Sequence, residues 1–140
     1  MKKRKYGEYT KYLPLPLLIS LDQITKYLSL KYPIDLGVIS ITNVTNDGMI
    51  LGLLSGQTTI IYAITLLAIS FLIYYKEEFK ENQTEYNLIL AGILGNTLDR
   101  ITQSHVIDFI QIGSFPVFNL ADTFIVIGVA LMTIKEFKNK

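Results

Sequence analysis

The sequence predicts an all-α membrane protein, with four transmembrane helices capped on one side by a small β-sheet. Half of the 140 residues are hydrophobic, and the apolar residues are gathered into four segments separated by polar loops. Two of those loops contain runs of β-branched residues. A soluble domain of this length rarely carries so much apolar sequence, so we expect a single integral membrane domain, residues 1–140.

The four apolar segments cover residues 13–30, 58–75, 86–101 and 119–134. Each has roughly 16 to 19 residues, the lower limit for crossing a hydrocarbon core as a helix. The first follows a basic stretch, as the apolar part of a secretory signal does. It contains Asp22 and Lys26 and has no small-residue cleavage site, so we interpret it as a retained helix.

The basic residues predict an orientation, because ten of the 13 lysines and arginines would lie on one side of a four-span chain. The positive-inside rule then places both termini and the charged loop 76–85 in the cytoplasm. We predict that this loop is a solvated connector. The loops 31–57 and 102–118 would face outward, and their β-branched runs at 38–45 and 106–112 favour strands that form the cap.

Two aspartates, Asp108 and Asp122, are the candidate catalytic pair. Asp122 opens the fourth segment three residues after Asn119, which is the spacing of an N-cap and an acid in the first helical turn. Helix-start chemistry is thus a sufficient explanation for Asp122, but it does not explain Asp108 in its apolar strand.

If the loop brings the two carboxylates within about 3 to 5 Å, they should share one proton, so that one activates water and the other polarises a carbonyl. The helix N-terminus favours Asp122 as the ionised member. A coupled pair titrates as one unit, so this assignment stays open.

The cysteine and histidine content excludes several kinds of catalytic and metal-binding site. There is no cysteine, which excludes disulfides, thiolate catalysis and a thiolate metal site. The single histidine, His105, cannot by itself build a zinc site. We therefore expect no metal site.

Other polar residues share helix faces inside the apolar segments. Asp22 and Lys26 are four apart, and we favour an internal ion pair over the alternative that they shape the site. Asn96 and Asp99 share one face of the third segment with a glycine that permits close helix approach. At the outer end of that segment, Arg100 could bind a lipid phosphate, fix a carboxylate or extend to the membrane interface.

Five short motifs occur in order along nearly the whole chain: Asp22-Gln-Ile-Thr-Lys26, Asn46-Asp-Gly48, Gly95-Asn-Thr-Leu-Asp-Arg100, Val106-Ile-Asp-Phe109 and Phe118-Asn-Leu-Ala-Asp122. Together they resemble the ordered motif blocks of the lipoprotein signal peptidases, the signal peptidase II family. One block alone would be weak evidence, whereas five in order on a four-span chain are strong.

The resemblance implies an aspartyl endopeptidase of the bacterial cytoplasmic (inner) membrane with its active site at the extracytoplasmic face. Its implied partners are membrane lipids and diacylglyceryl-modified prolipoproteins, cut just before the modified cysteine, and it implies no cofactor and no nucleic acid. By motif match, the resemblance implies that the catalytic dyad is Asp108 and Asp122. The residues that would line or support the substrate site are Asn46, Gly48, Asn96, Arg100, Asn119 and Ala121. The residues that would have structural roles are Asp22, Lys26 and Asp99.

Two stretches depart from the family pattern. Residues 48–52 read Gly-Met-Ile-Leu-Gly where small and aromatic residues are usual, and the segment between the two aspartates is shorter than usual. Both lie in outer loops expected to contact the substrate.

Two rival functions remain. A non-catalytic membrane carrier would use intramembrane carboxylates, but it leaves Asp108 unexplained. A degenerate relative that binds precursors without cutting them is disfavoured because both aspartates are present.

Overall fold

The computed structural model describes residues 13–48 and 54–138. Within these ranges the chain forms four α-helices and three strands: α1 Leu15–Lys31, β1 Ile34–Asp35, β2 Ile39–Asn46, α2 Thr58–Tyr74, α3 Gln83–Gln103, β3 Val106–Ile112 and α4 Leu120–Lys138. A 3-10 turn, Lys80–Asn82, precedes α3. Most of the departure from the family pattern at residues 48–52 lies outside the described residues.

Each apolar segment forms a helix, as predicted. The helices α1 and α2 match their predicted bounds within two residues, whereas α3 begins three residues earlier and α4 continues four residues further. In the described part of the chain, none of the helices combines the length and the hydropathy required to cross a membrane.

The predicted small sheet is also present, with strand order β1-β2-β3 and antiparallel pairing throughout. Val44 pairs with Asp108 and Asn46 with Val106, after an irregularity between Ile41 and Val44. This register brings the end of β2 beside the aspartate of β3.

Helix α3 packs closely against α1 and α4 because two of its glycines present no side chain. A Cβ added to Gly92 would overlap the carbonyl oxygen of Ala121 in α4, and one added to Gly95 would lie 2.6 Å from Oδ2 of Asp22 in α1. The prediction that glycine permits close helix approach is therefore confirmed. The contact fixes the first turn of α4 against the polar face of α3.

The solvated connector was predicted to cover residues 76–85, and this prediction was wrong for its last residues. Helix α3 begins at Gln83, so Glu85 lies in its first turn and is only 3% exposed. There the Glu85 carboxylate forms an ion pair with Lys135 near the end of α4. The charge run could not reveal this, because it depends on a contact with a distant helix.

Candidate functional site

The site lies where the outer half of α3, the strands β2 and β3 and the first turn of α4 meet. Asp108 belongs to β3 and Asp122 to α4, and both are buried, with 2% and 7% of their surface exposed. The fold thus brings the two predicted catalytic aspartates into one buried polar cluster.

Asn119 joins the two aspartates. Its Oδ1 accepts the backbone N–H of Asp122 at 2.9 Å, which makes it the predicted N-cap of α4. Its Nδ2 donates to Oδ1 of Asp108 at 2.7 Å. One fully buried side chain therefore starts the helix that carries one aspartate and binds the carboxylate of the other.

Two more carboxamides hold the pair from other elements. Nδ2 of Asn46, at the end of β2, donates to Oδ2 of Asp108 at 2.8 Å, while its Oδ1 accepts the N–H of Gly48 at 2.8 Å. Nδ2 of Asn96, in α3, donates to Oδ1 of Asp122 at 2.8 Å. A backbone N–H can only donate, so the Asn46 carboxamide has one orientation and its NH2 group faces the carboxylate.

Burial controls the ionisation of Asp108. It raises the pKa of this carboxyl from 3.8 to about 6, and the negative charge of Asp122 acts in the same direction. The hydrogen bonds from Asn46 and Asn119 and the charge of Lys26 oppose the shift and lower the pKa. A carboxyl with this balance can hold a proton under mildly acidic conditions, where an ordinary aspartate is ionised.

Arg100 lies beside the pair at the outer end of α3. Its Nη2 donates to the carbonyl oxygen of Gly48, while its Nε is buried and has no hydrogen-bond partner among the described residues. The polar side chains that line a cavity of about 90 Å³ are Thr65, Asn96, Arg100 and Asp122. Its other walls come from α2, α3 and α4, with the apolar side chains Ile64, Ala68, Ile93 and Ile125.

A second cavity, of about 280 Å³, opens on the strand side of the cluster, where Asn46, Asp47 and Asp108 are part of its lining. The two aspartates therefore face different cavities: Asp122 the apolar one between the helices, and Asp108 the one beside the sheet.

The predicted Asp22–Lys26 ion pair is present, and it belongs to a larger buried cluster. Nζ of Lys26 lies 2.8 Å from Asp22 and 2.7 Å from Asp99, and all three side chains are at most 2% exposed. Oδ1 of Asp22 accepts the N–H of Ala121 at 2.9 Å. Ala121 itself is fully buried in the contact between α3 and α4.

Two contributors escaped the sequence analysis. Nε2 of Gln23 donates to Oδ1 of Asp99 at 2.8 Å and to Oδ2 of Asp22 at 3.1 Å, and its position inside the first motif could have indicated such a role. The hydroxyl of Tyr62 donates to the carbonyl oxygen of Arg100 at 3.1 Å. No sequence signal distinguishes Tyr62 from the other tyrosines. In residues 13–48 and 54–138, no group of three or more acidic or histidine side chains could hold a metal ion.

Two buried carboxylates held by carboxamides, beside a cavity with apolar walls, are an arrangement suited to activating a water without a nucleophilic side chain, which is the chemistry of the aspartic peptidase class. The comparisons identify the family. The family model described as signal peptidase (SPase) II matches residues 15–138. The chain therefore belongs to the signal peptidase II family, and the resemblance seen in the sequence is confirmed.

Individual relatives and a solved structure support the same family assignment. The lipoprotein signal peptidase of Caldicellulosiruptor bescii is 39% identical over 121 residues, which are 81% of each chain. That of Halothermothrix orenii is 38% identical over 131 residues, 86% of this chain and 90% of the other. A bacterial membrane enzyme solved by the in meso method at 2.3 Å superposes with a TM-score of 0.81 at 32% identity, over 89% of this chain and 85% of that one. This chain is accordingly a protease and a bacterial membrane protein.

Proposed function

We propose that this protein is a membrane aspartyl endopeptidase that removes signal peptides from diacylglyceryl-modified prolipoproteins, just before the modified cysteine. The observation that carries the proposal is the arrangement of Asp108 and Asp122 around Asn119. Family membership supports the same reaction.

The reaction needs one proton on the pair. Ionised Asp122 takes a proton from a water whose oxygen bonds to the scissile carbonyl carbon, while protonated Asp108 gives its proton to the carbonyl oxygen. In the second step Asp122 returns its proton to the amide nitrogen, the C–N bond breaks, and Asp108 recovers a proton from a hydroxyl of the gem-diol. The raised pKa of Asp108 supports this assignment of the proton.

Arg100 and the neighbouring amides would bind the peptide. The Nε–H of Arg100 has no partner among the described residues, and its side chain borders the same cavity as Asp122. A substrate carbonyl oxygen placed there would satisfy this donor. The carbonyl oxygen of Gly48, two residues after β2, accepts a hydrogen bond from Nη2 of the same guanidinium, which holds Gly48 at the edge of the site.

The helices would lie in the membrane, with both termini in the cytoplasm and the site at the extracytoplasmic face. Large apolar side chains remain exposed around α2 and α4, among them Leu66, Leu67, Phe71 and Val126, each more than half exposed. Such apolar surface needs a partner, and lipid suits it. The distribution of basic residues supports the orientation.

The lipid group of the precursor should determine how efficiently the precursor is cleaved. The full-length protein in detergent should cut a diacylglyceryl-modified precursor with kcat/KM at least about tenfold above that for the unlipidated precursor, because an acyl group adds apolar binding that the reacting peptide alone lacks. Initial rates on the two precursors, matched in sequence, measure this. Cleavage of neither would contradict the peptidase assignment, and equal rates would contradict recognition of the lipid.

The pH dependence follows from Asp108. If its proton is required, kcat/KM should fall as the pH rises through about 6, where Asp108 ionises. Because the pKa of this group is higher in the folded state than its ordinary 3.8, ionisation is harder in the native protein. The native state should therefore lose stability between about pH 4 and pH 6.

Two measurements check this prediction: the pH–rate profile, and the melting temperature of the wild type relative to Asp108→Asn over the same range. The difference in melting temperature between the two proteins should change across that interval and level off above it. A rate that stays flat from pH 5 to pH 8 would show that no such proton is needed.

A further inference from the structure

Among the described residues, Lys26 is the member of the buried ion cluster whose side chain hydrogen-bonds to a side-chain carboxamide of the site. Besides its bonds to Asp22 and Asp99, its Nζ donates to Oδ1 of Asn96 at 3.0 Å. The lysine side chain is 2% exposed, so its charge is held in place by the two helices. The Lys26 ammonium group thus forms a hydrogen bond to a neutral amide in addition to its two ion pairs.

The chemistry of the ammonium group fixes the orientation of Asn96. An ammonium group has only donors, so it must face the carbonyl oxygen of the carboxamide and never its NH2 group. Nδ2 of Asn119 donates to the same oxygen at 3.1 Å, which enforces the same orientation. The NH2 group of Asn96 is thereby directed to Asp122, whose Oδ1 accepts it at 2.8 Å.

The Asn96 carboxamide differs from the other two carboxamides of the site in the kind of donor that orients it. Asn46 and Asn119 are oriented by backbone N–H groups close to them in the chain, at Gly48 and Asp122. Asn96 lies inside α3, and a donor from a different helix binds its carbonyl oxygen. Loss of that donor would leave only the 3.1 Å bond from Asn119 to orient the Asn96 carboxamide. A carboxamide that turned over would place its oxygen against the Asp122 carboxylate, a repulsive contact.

We propose that Lys26 is a positioning residue for the dyad: it fixes the Asn96 carboxamide so that its NH2 group donates to Asp122. Lys26 then acts on the dyad through Asn96, whereas Asp22 and Asp99 form ion pairs with Lys26 and help to join α1 to α3. This inference rests on the proposed peptidase function.

The test removes the ammonium group without changing the net charge of the cluster. The double variant Lys26→Met, Asp99→Asn loses one cation and one anion, so the cluster keeps one negative charge, whereas Asp99→Asn alone keeps the ammonium group on Asn96. We expect kcat of the double variant, per folded molecule, to fall at least about tenfold while KM changes less than about threefold. Its pH–rate profile should shift by about half a unit or more toward alkaline pH, because the ionised pair has lost both the nearby charge of Lys26 and a fixed amide donor.

The control variant Asp99→Asn should keep the wild-type pH profile and lose less activity than the double variant. A folded double variant with the kcat and pH profile of Asp99→Asn would overturn the proposal, and Lys26 would be only structural. Failure of the wild type itself to cut a lipidated precursor would instead count against the peptidase function.

If the double variant does not fold, the wild-type protein supplies a second readout. In protein labelled with 15N-asparagine, the side-chain NH2 of Asn96 should exchange with water at least about tenfold more slowly than that of exposed Asn43, because both ends of the carboxamide are bound. Equal exchange rates would show that the carboxamide is not fixed, and the proposal would be wrong.

Discussion

Replacing either Asp108 or Asp122 with asparagine should lower kcat for precursor cleavage by at least about a thousandfold. Each substitution keeps the shape of the side chain but removes the oxygen that accepts or donates the proton. Because the two carboxylates act on one water and one carbonyl in the proposed mechanism, the double variant should be scarcely slower than either single one. Cleavage of a lipidated precursor per folded molecule measures this.

Unfolding should not account for the loss. In Asp108→Asn, one of the two donors, Asn46 or Asn119, would face an NH2 group, which costs about one kcal/mol. Removing a buried charge compensates in the opposite direction, so the melting temperature should change little at neutral pH. The matched control is Asp35→Asn, which replaces an exposed acid in β1 and should leave kcat and the melting temperature nearly unchanged. Near-native turnover in folded Asp108→Asn would exclude the pair as the catalytic centre.

Asn119→Ser should separate the two functions of Asn119. Serine is also a good N-cap, so the first turn of α4 should remain intact. The serine hydroxyl can accept the N–H of Asp122, but the side chain is shorter and has a single polar atom, so it should not also reach Asp108 in place of Nδ2. We expect kcat to fall about a hundredfold, the usual effect of losing one fixed donor in a catalytic site, with a melting temperature within a few degrees of the wild type.

Asn119→Ala completes the comparison. It should lose as much activity as Asn119→Ser and, in addition, about 1 kcal/mol of stability, because the N-cap is absent. Thermal unfolding and precursor cleavage in the same detergent distinguish the two effects. If Asn119→Ser is as unstable as Asn119→Ala, or as active as the wild type, the bridging role of Asn119 would be wrong.

The elements of the fold were predictable because local signals determine them. Apolar length gave the four helices, and β-branched runs gave β2 and β3 with nearly their observed bounds. β1 has only two residues, Ile34 and Asp35, too few to show a pattern. Glu85 was misplaced for a different reason, since its burial depends on Lys135, fifty residues away.

The site was predictable only as a set of residues. Motif order and the two aspartates identified the members, and the cap at Asn119 followed from spacing alone. The direction of each carboxamide did not follow, because it depends on which donor meets which oxygen in the folded protein. Lys26 illustrates this: the sequence pairs it with Asp22 four residues away, and only the structure shows its bond to Asn96.

The hydrogen bond from the N–H of Ala121 to Asp22 has a consequence for biosynthesis. It joins residues 99 positions apart, and the first turn of the last helix therefore depends on a residue in the first. A chain emerging from the ribosome would contain Asp22, Asn46, Asn96 and Asp108 before α4 is made. Until that last helix packs against α1 and α3, Asp122 has no fixed position. The nascent chain should consequently be inert as a protease until α4 has been made and has packed against α1 and α3.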